Sequence, residues 1–186
     1  AVKIAVSNLA NDLEQTLGLS VQVMQGSKDQ EQGQAPAKIL VRTLDGSDTI
    51  GECSDFGCLR DETGRLRREA YQHSISEGQL VIAGSDRRGT IYGIYEFCEM
   101  LGVSPWYFWA DVPVRKRQAF TLPERYLKAD YPSVEYRGIF INDEEELEAW
   151  VQNYMKEPTI GVKTYEKVFE LLLRLKANYI WPAMHV

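Results

Sequence analysis

Two stretches decide how the fold is read: Val134-Glu135-Tyr136-Arg137-Gly138-Ile139-Phe140-Ile141, closed by Asn142-Asp143, and Asn178-Tyr179-Ile180-Trp181-Pro182. The first ends in a nearly continuous apolar run, the pattern of a strand buried in a parallel sheet. Between them lie an acidic, helical segment at 144–153 and a run in which Tyr165, Val168, Phe169, Leu172 and Leu175 share one helical face. Thr164 is placed to cap that run, and Arg174 and Lys176 suit its carboxyl end. Strand, helix, strand is a βαβ unit, and at the start of a large domain it predicts a (β/α)8 barrel.

Upstream, Pro105, Pro113, Pro123 and Pro132 punctuate residues 103–133, a connecting segment dense in aromatics at Trp106-Tyr107-Phe108-Trp109. Before it, Tyr71, His73 and Ile75 alternate with polar residues, Glu77-Gly78 turns the chain, and Leu80-Val81-Ile82-Ala83 returns as a buried strand. Ser85 or Asp86 then caps a helix with Ile91, Ile94, Tyr95, Cys98 and Leu101 on its apolar face and a stop at Gly102. Residues 3–17 read as another helix, with Ile4, Val6, Leu9, Leu13 and Leu17 on one side and Gly18 ending it. Val21-Gln22-Val23 and the stretch 38–42 read as short strands, and 25–36 and 45–68 as loops. The expected fold class is α/β. A small mixed-sheet α/β domain spans 1–128, and 129–186 forms the first βαβ of an incomplete (β/α)8 barrel.

The chain carries 21 Lys and Arg against 27 Asp and Glu, a formal charge of -6, and no basic stripe. That balance argues against nucleic acid as a partner, because phosphates need clustered cations. The short run Val114-Arg115-Lys116-Arg117 reads as a solvated turn. No 18-residue apolar run is present, so no helical membrane span is expected. Cys53, Cys58 and Cys98 make an odd set that fits no complete disulfide framework. Cys98 falls on the apolar side of its helix, while Cys53 and Cys58 share a polar loop in which an oxidising compartment would allow a pair. No Cys and His stand at zinc-like spacing, so neither a metal nor a cofactor is expected. Residue 1 already lies in an amphipathic stretch with no signal peptide before it, so the chain is expected to begin within a longer protein or after processing.

Barrels gather their chemistry at the carboxyl ends of the strands. Here those ends carry Asn142-Asp143 and Trp181, with Met184 and His185 just beyond. Asp143 stands where a general base or a hydroxyl-binding carboxylate belongs, or where it would cap the helical segment that follows. Glu144, Glu145 and Glu146 suit a solvated helix start. Trp181 reads as a ring that stacks on a sugar or as filling of the barrel interior. His185 reads as a hydrogen-bond donor to substrate or as an exposed side chain. In Asp86-Arg87-Arg88-Gly89-Thr90, two cations stand against the dipole of the helix that begins there. Free amides and guanidinium groups together make an anion site. The other reading is that Arg87 and Arg88 pair with local acids or pin this domain to the barrel.

Gly84-Ser85-Asp86-Arg87-Arg88-Gly89-Thr90-Ile91-Tyr92-Gly93-Ile94-Tyr95-Glu96 resembles the N-terminal domain of glycoside hydrolases that set a small α/β domain before a barrel. Ser104-Pro105-Trp106-Tyr107, Trp109-Ala110-Asp111-Val112-Pro113, Tyr136-Arg137-Gly138-Ile139-Phe140-Ile141-Asn142-Asp143-Glu144 and the stretch 169–184 narrow this. Together they resemble glycoside hydrolase family 115, the xylan α-1,2-glucuronidases. The resemblance is strong over about residues 80–184 and looser before them. It implies a multidomain bacterial enzyme, periplasmic or extracellular, that cleaves the α-1,2 bond between (4-O-methyl)glucuronic acid and xylose with inversion. Glucuronoxylan or its oligosaccharides would be its partner, with the rest of the barrel and further domains supplied by the parent chain, and a homodimer of the parent is an allowed assembly. The resemblance implies a catalytic or substrate-binding role for Asp143, a binding role for Asn142 and, more weakly, for Trp181. Glu96 would reach the sugar or form a structural ion pair. The family continues Pro-Ala-Met with an aromatic residue where this chain has His185. The second carboxylate of a glycosidase would lie beyond Val186, so these residues alone are expected to be inactive. The competing readings are a non-catalytic carbohydrate-binding module, which suits the aromatic segment 104–109, and another hydrolase with the same N-terminal domain, such as a hexosaminidase-like enzyme. A stand-alone module would not leave Ile139-Phe140-Ile141 without neighbours to cover it.

Overall fold

Glu77 and Gly78 both adopt positive φ, 50° and 73°, as a two-residue turn of type I′ requires. They join β2 (Tyr71–Ser76) to β3 (Gln79–Gly84) in the expected hairpin. The computed structural model describes residues 1–26, 38–44, 54–142 and 145–182. They form two compact units, Ala1–Ser104 with Pro113–Ser133 and Pro105–Val112 with Val134–Val186. In the first unit β1 (Ile39–Thr43) pairs parallel with β3, and β4 (Leu127–Asp130) pairs antiparallel with β2, giving a mixed sheet of order β1-β3-β2-β4. Because β4 belongs to this sheet, the unit runs past the expected boundary at 128/129, to Ser133.

β3 is buried on both faces, with side chains alternating between them. Val81 and Ala83 join Leu44, Phe56, Leu59 and Ala70 in one cluster. Ile82 lies against Gly93 of α2 (Arg87–Leu101) on the other face. α2 packs in turn on α1 (Val2–Leu17), where Asn8 Nδ2 donates to the Tyr95 hydroxyl at 2.9 Å.

α1 ends at Gly18 as expected, with φ 68°, but its buried stripe is Ala5, Leu9, Asp12, Leu13 and Thr16, and Ile4 is 66% exposed. Ile4, next to the buried Ala5, is thus turned one position out of the stripe. Val21-Gln22-Val23 forms no strand, and Val21 and Val23 are exposed with no ladder beside them. Cys58 is a free, exposed thiol and Cys98 is buried; Cys53 lies outside the described residues.

The start of α2 is fastened to the start of β2. Asp86 caps the helix through Oδ1, which accepts from Gly89 N at 2.8 Å, while its Oδ2 accepts from Glu69 N at 2.8 Å. Ala70 N donates to Ser85 Oγ, and Ser85 N donates to Ala70 O. A Cβ on Gly89 would lie 2.1 Å from the carbonyl oxygen of Ala70, so this approach admits only hydrogen there.

In the second unit β5 (Gly138–Phe140) and β6 (Tyr179–Trp181) pair in parallel, with α3 (Glu145–Trp150), a π-helical turn (Val151–Met155) and α4 (Val162–Arg174) between them. The expected strand, helix, strand order is present. Ile141, Val168, Leu172 and Ala177 form its core, whereas Phe169 and Leu175, expected on the buried face, are exposed. The buried face of α4 runs instead through Thr164, Val168, Leu171, Leu172 and Arg174.

Thr164 lies inside α4 and does not cap it. The cap comes from Glu157, whose carboxylate accepts from Lys163 N, Thr164 N and Thr164 Oγ1 at 3.0, 2.9 and 2.7 Å. Residues 105–112 belong with this second unit. Lys167 Nζ donates to Tyr107 Oη and to Glu170, Tyr107 donates to Glu170 at 2.9 Å, and Arg174 Nε donates to the same carboxylate at 2.9 Å. Burial alone would raise the Glu170 carboxyl, but Lys167 and Arg174 outweigh it and hold the group below the ordinary glutamate range.

Two outcomes follow from this packing. In an ordinary helix Gly→Ala gains about 1 kcal/mol. Here the added methyl meets a backbone carbonyl, so Gly89→Ala is expected to destabilise the first unit by about 1–3 kcal/mol in urea unfolding. Glu170 titrates lower when folded, so its contribution is complete above the ordinary glutamate range and fades as pH falls through that range toward the lower folded value. Glu170→Gln takes the carboxylate partner from Arg174, whose side chain is 2% exposed. It should cost on the order of 3 kcal/mol at neutral pH, a gap that narrows on acidification in unfolding curves taken from pH 7 to pH 3.

Candidate functional site

The two parallel strands of the second unit are locked at their amino ends by a reciprocal set of bonds. Arg137 N donates to Asn178 Oδ1, and Asn178 N and Tyr179 N both donate to Arg137 O. Asn178 Nδ2 reaches Glu135 O at 2.7 Å, and the Arg137 guanidinium donates to the carbonyls of Lys176 and Val134, each at 2.8 Å. Gly138 sits opposite Tyr179, and a Cβ there would lie 2.0 Å from the Tyr179 carbonyl oxygen. Glycine is therefore a condition of this register.

The register places Phe140 opposite Trp181 at the carboxyl ends, with Ile141 N donating to Trp181 O at 2.9 Å. The two rings meet edge to face at 5.8 Å and are 50% and 55% exposed. Asn142 follows, exposed, at the same end. The strand pairs in parallel as its sequence suggests; within this chain β5 and β6 are both edges of their sheet, and Ile139 and Phe140 are exposed. Ile141 alone of the apolar run enters the core.

Asp143, Glu144 and His185 lie outside the described residues. Glu145 and Glu146 occupy the first turn of α3 and are solvated, complementing its dipole. The strand ends thus bring together an aromatic pair and an amide. Those groups suit a ligand with flat apolar faces and hydroxyl edges.

Arg87, Arg88 and Glu96 belong to the first unit. Arg88 Nη1 pairs with Glu69 at 2.9 Å, and that carboxylate is almost fully buried. At the start of α2 the Gly89 amide donates to Asp86 Oδ1. Arg87 is exposed. Glu96 forms an ion pair with Lys128. Burial and the neighbouring Glu96 carboxylate push the Tyr71 hydroxyl up, which keeps it protonated. Among the described residues no group of three or more His, Cys, Asp or Glu is placed to hold a metal.

Sequence reasoning missed a second aromatic assembly in the second unit. Trp109 stacks on Trp150 at 5.0 Å and Trp150 on Tyr154 at 4.9 Å, with Phe108 edge-on to all three. The spacing of Trp150 and Tyr154, one helical turn apart, was the available signal. Their partner Trp109 is remote in sequence.

Residues 129–186 match the family model described as Glycosyl hydrolase family 115. Across 99% of its length the chain is similar to a solved GH115 4-O-methyl-α-glucuronidase with specificity for decorated arabinogalactans, at 40% identity and a TM-score of 0.81. It spans 23% of that enzyme's chain. A GH138 enzyme targeting pectin rhamnogalacturonan II shares the fold alone, at 14% identity and a TM-score of 0.53 over 97% of this chain and 17% of the other. With the strand-end segment matched by the family model and nearly the whole chain matched in sequence and fold, this chain belongs to glycosyl hydrolase family 115.

Proposed function

We propose that the chain is part of a glycoside hydrolase that releases (4-O-methyl)glucuronic acid from glucuronoxylan by inverting hydrolysis of an α-1,2 bond. In this reading 129–186 begins a (β/α)8 barrel, and the complete site is assembled by the longer protein, in the periplasm or outside the cell. The observation that carries it is the parallel pairing of β5 and β6, which sets Asn142 and Trp181 at one end of the sheet within the segment that matches the family model. Strand carboxyl ends are where barrels keep their chemistry.

Inversion needs one carboxylic acid to protonate the leaving oxygen and one carboxylate to activate water. Asp143, directly after Asn142, is assigned the carboxylate or sugar-hydroxyl role, and a residue elsewhere in the protein supplies the acid. Asn142 hydrogen-bonds sugar hydroxyls, Trp181 stacks on a pyranose, and His185 donates a hydrogen bond to substrate. A second polymer is favoured by one observation: the enzyme at 40% identity is described as specific for decorated arabinogalactans. The uronic acid would then be the same and its carrier different.

The test is release of glucuronic acid by the full-length protein from glucuronoxylan and, separately, from arabinogalactan. Asp143→Ala should lower kcat by about 10²- to 10⁴-fold, and Asn142→Ala should act chiefly on KM. Activity that survives in Asp143→Ala returns Asp143 to a helix-capping role, and absence of release from both polymers overturns the hydrolase reading.

A further inference from the structure

We propose that Trp109 is a positioning residue for the strand-end site: its ring holds α3, the helix that carries the chain away from Asn142 and Asp143. The proposal rests on the hydrolase reading above. Trp109 stands on a firm base, because three successive residues of its segment are fastened to α4. Tyr107 Oη donates to Glu170 and accepts from Lys167 Nζ, and Lys167 Nζ also lies 5.1 Å from the centre of the Phe108 ring. Trp109 Nε1 donates to Lys167 O at 3.2 Å. α4 in turn gives Val168 and Leu172 to the core that takes Ile141, the residue before Asn142, and Trp109 packs against that same core.

From that base Trp109 reaches α3. Its ring stacks on Trp150 at 5.0 Å and 29° from parallel, and Phe108 meets both rings edge-on. An isolated helix of six residues does not persist in water, so α3 is set by its tertiary contacts. Leu147 attaches it to the Ile141 core, and Trp150, its last residue, attaches it to Trp109. In the turn beyond, Val151 is fully buried, and Glu157 ties the chain to the start of α4. Asp143 lies outside the described residues, but the chain is held on either side of it, by Ile141 in the core and by α3. Only Asn142, Asp143 and Glu144 separate Ile141 from Glu145, so a displaced α3 draws on those residues directly. Catalytic geometry is sensitive on that scale, since about 1 Å of misplacement costs on the order of 10²-fold in rate. A ring that only covered α4 would need no contact with α3, and its loss would lower stability without a separate effect on kcat.

The experiment measures uronic acid released by the full-length protein from glucuronoxylan or arabinogalactan, whichever the unaltered protein cleaves. The variants are Trp109→Ala, Trp150→Ala, the two combined, and Trp109→Phe. Each alanine variant should lower kcat by roughly 10- to 100-fold, with KM within about twofold of its unaltered value. The combined variant should be no slower than the slower single one, because one contact is broken once. Trp109→Phe, which keeps a ring to face Trp150, should recover most of the rate. An unchanged kcat in either alanine variant would overturn the proposal, as would losses that multiply in the combined variant and follow the fall in Tm. Should Trp109→Ala not fold, Trp150→Ala decides: a lowered kcat at unchanged KM supports the proposal, and an unchanged kcat overturns it. No release by the unaltered protein from either polymer overturns the hydrolase reading and this proposal with it, whereas an active protein indifferent to the stack overturns this proposal alone.

Discussion

The close approach of Gly138 to the Tyr179 carbonyl is the constraint on which the strand-end site depends. A parallel pair shifted by one residue would turn every side chain to the opposite face. Here a shift is opposed twice, by the missing Cβ at Gly138 and by the reciprocal bonding of Arg137 with Asn178. Those contacts lie at the amino ends, while Phe140, Trp181 and Asn142 lie at the carboxyl ends. The chain thus separates the residues that fix the register from the residues proposed to meet a ligand, and the proposed barrel would show the same division of labour between its two faces.

A comparable device organises the first unit. Asp86 is both helix cap and strand clamp, using one carboxylate oxygen for Gly89 and the other for Glu69. Its negative charge also offsets the cations that follow it at the helix start. The buried Glu69 carboxylate takes up Arg88, so Gly84-Ser85-Asp86-Arg87-Arg88-Gly89-Thr90 reads as a folding motif in which acids, a cation and glycines all have local partners. The same holds for Glu96 with Lys128.

Much of the fold was legible because its signals are local. The Glu77-Gly78 turn, the Asp86 cap, the stops at Gly18 and Gly102 and the parallel β5–β6 pair each follow from residues close in sequence. The misreadings share a different cause. Ile4 fits an apolar stripe by period alone, but which of two adjacent stripes is buried depends on the partner surface. Thr164 looked like a cap, but the carboxylate that caps α4 is Glu157, seven residues earlier. The strand ends were visible in the sequence through Asn142 and Trp181. The Trp109–Trp150–Tyr154 stack was not, since its members are joined only by folding.

The measurement that bears most directly on the central claim is proton NMR of the full-length protein acting on glucuronoxylan in deuterated buffer. The account predicts that (4-O-methyl)glucuronic acid appears first as the β-anomer, the product of inversion at an α-linkage. First appearance of the α-anomer would contradict inversion, and no released uronic acid from glucuronoxylan or from arabinogalactan would contradict the assignment of this chain to a uronosyl hydrolase.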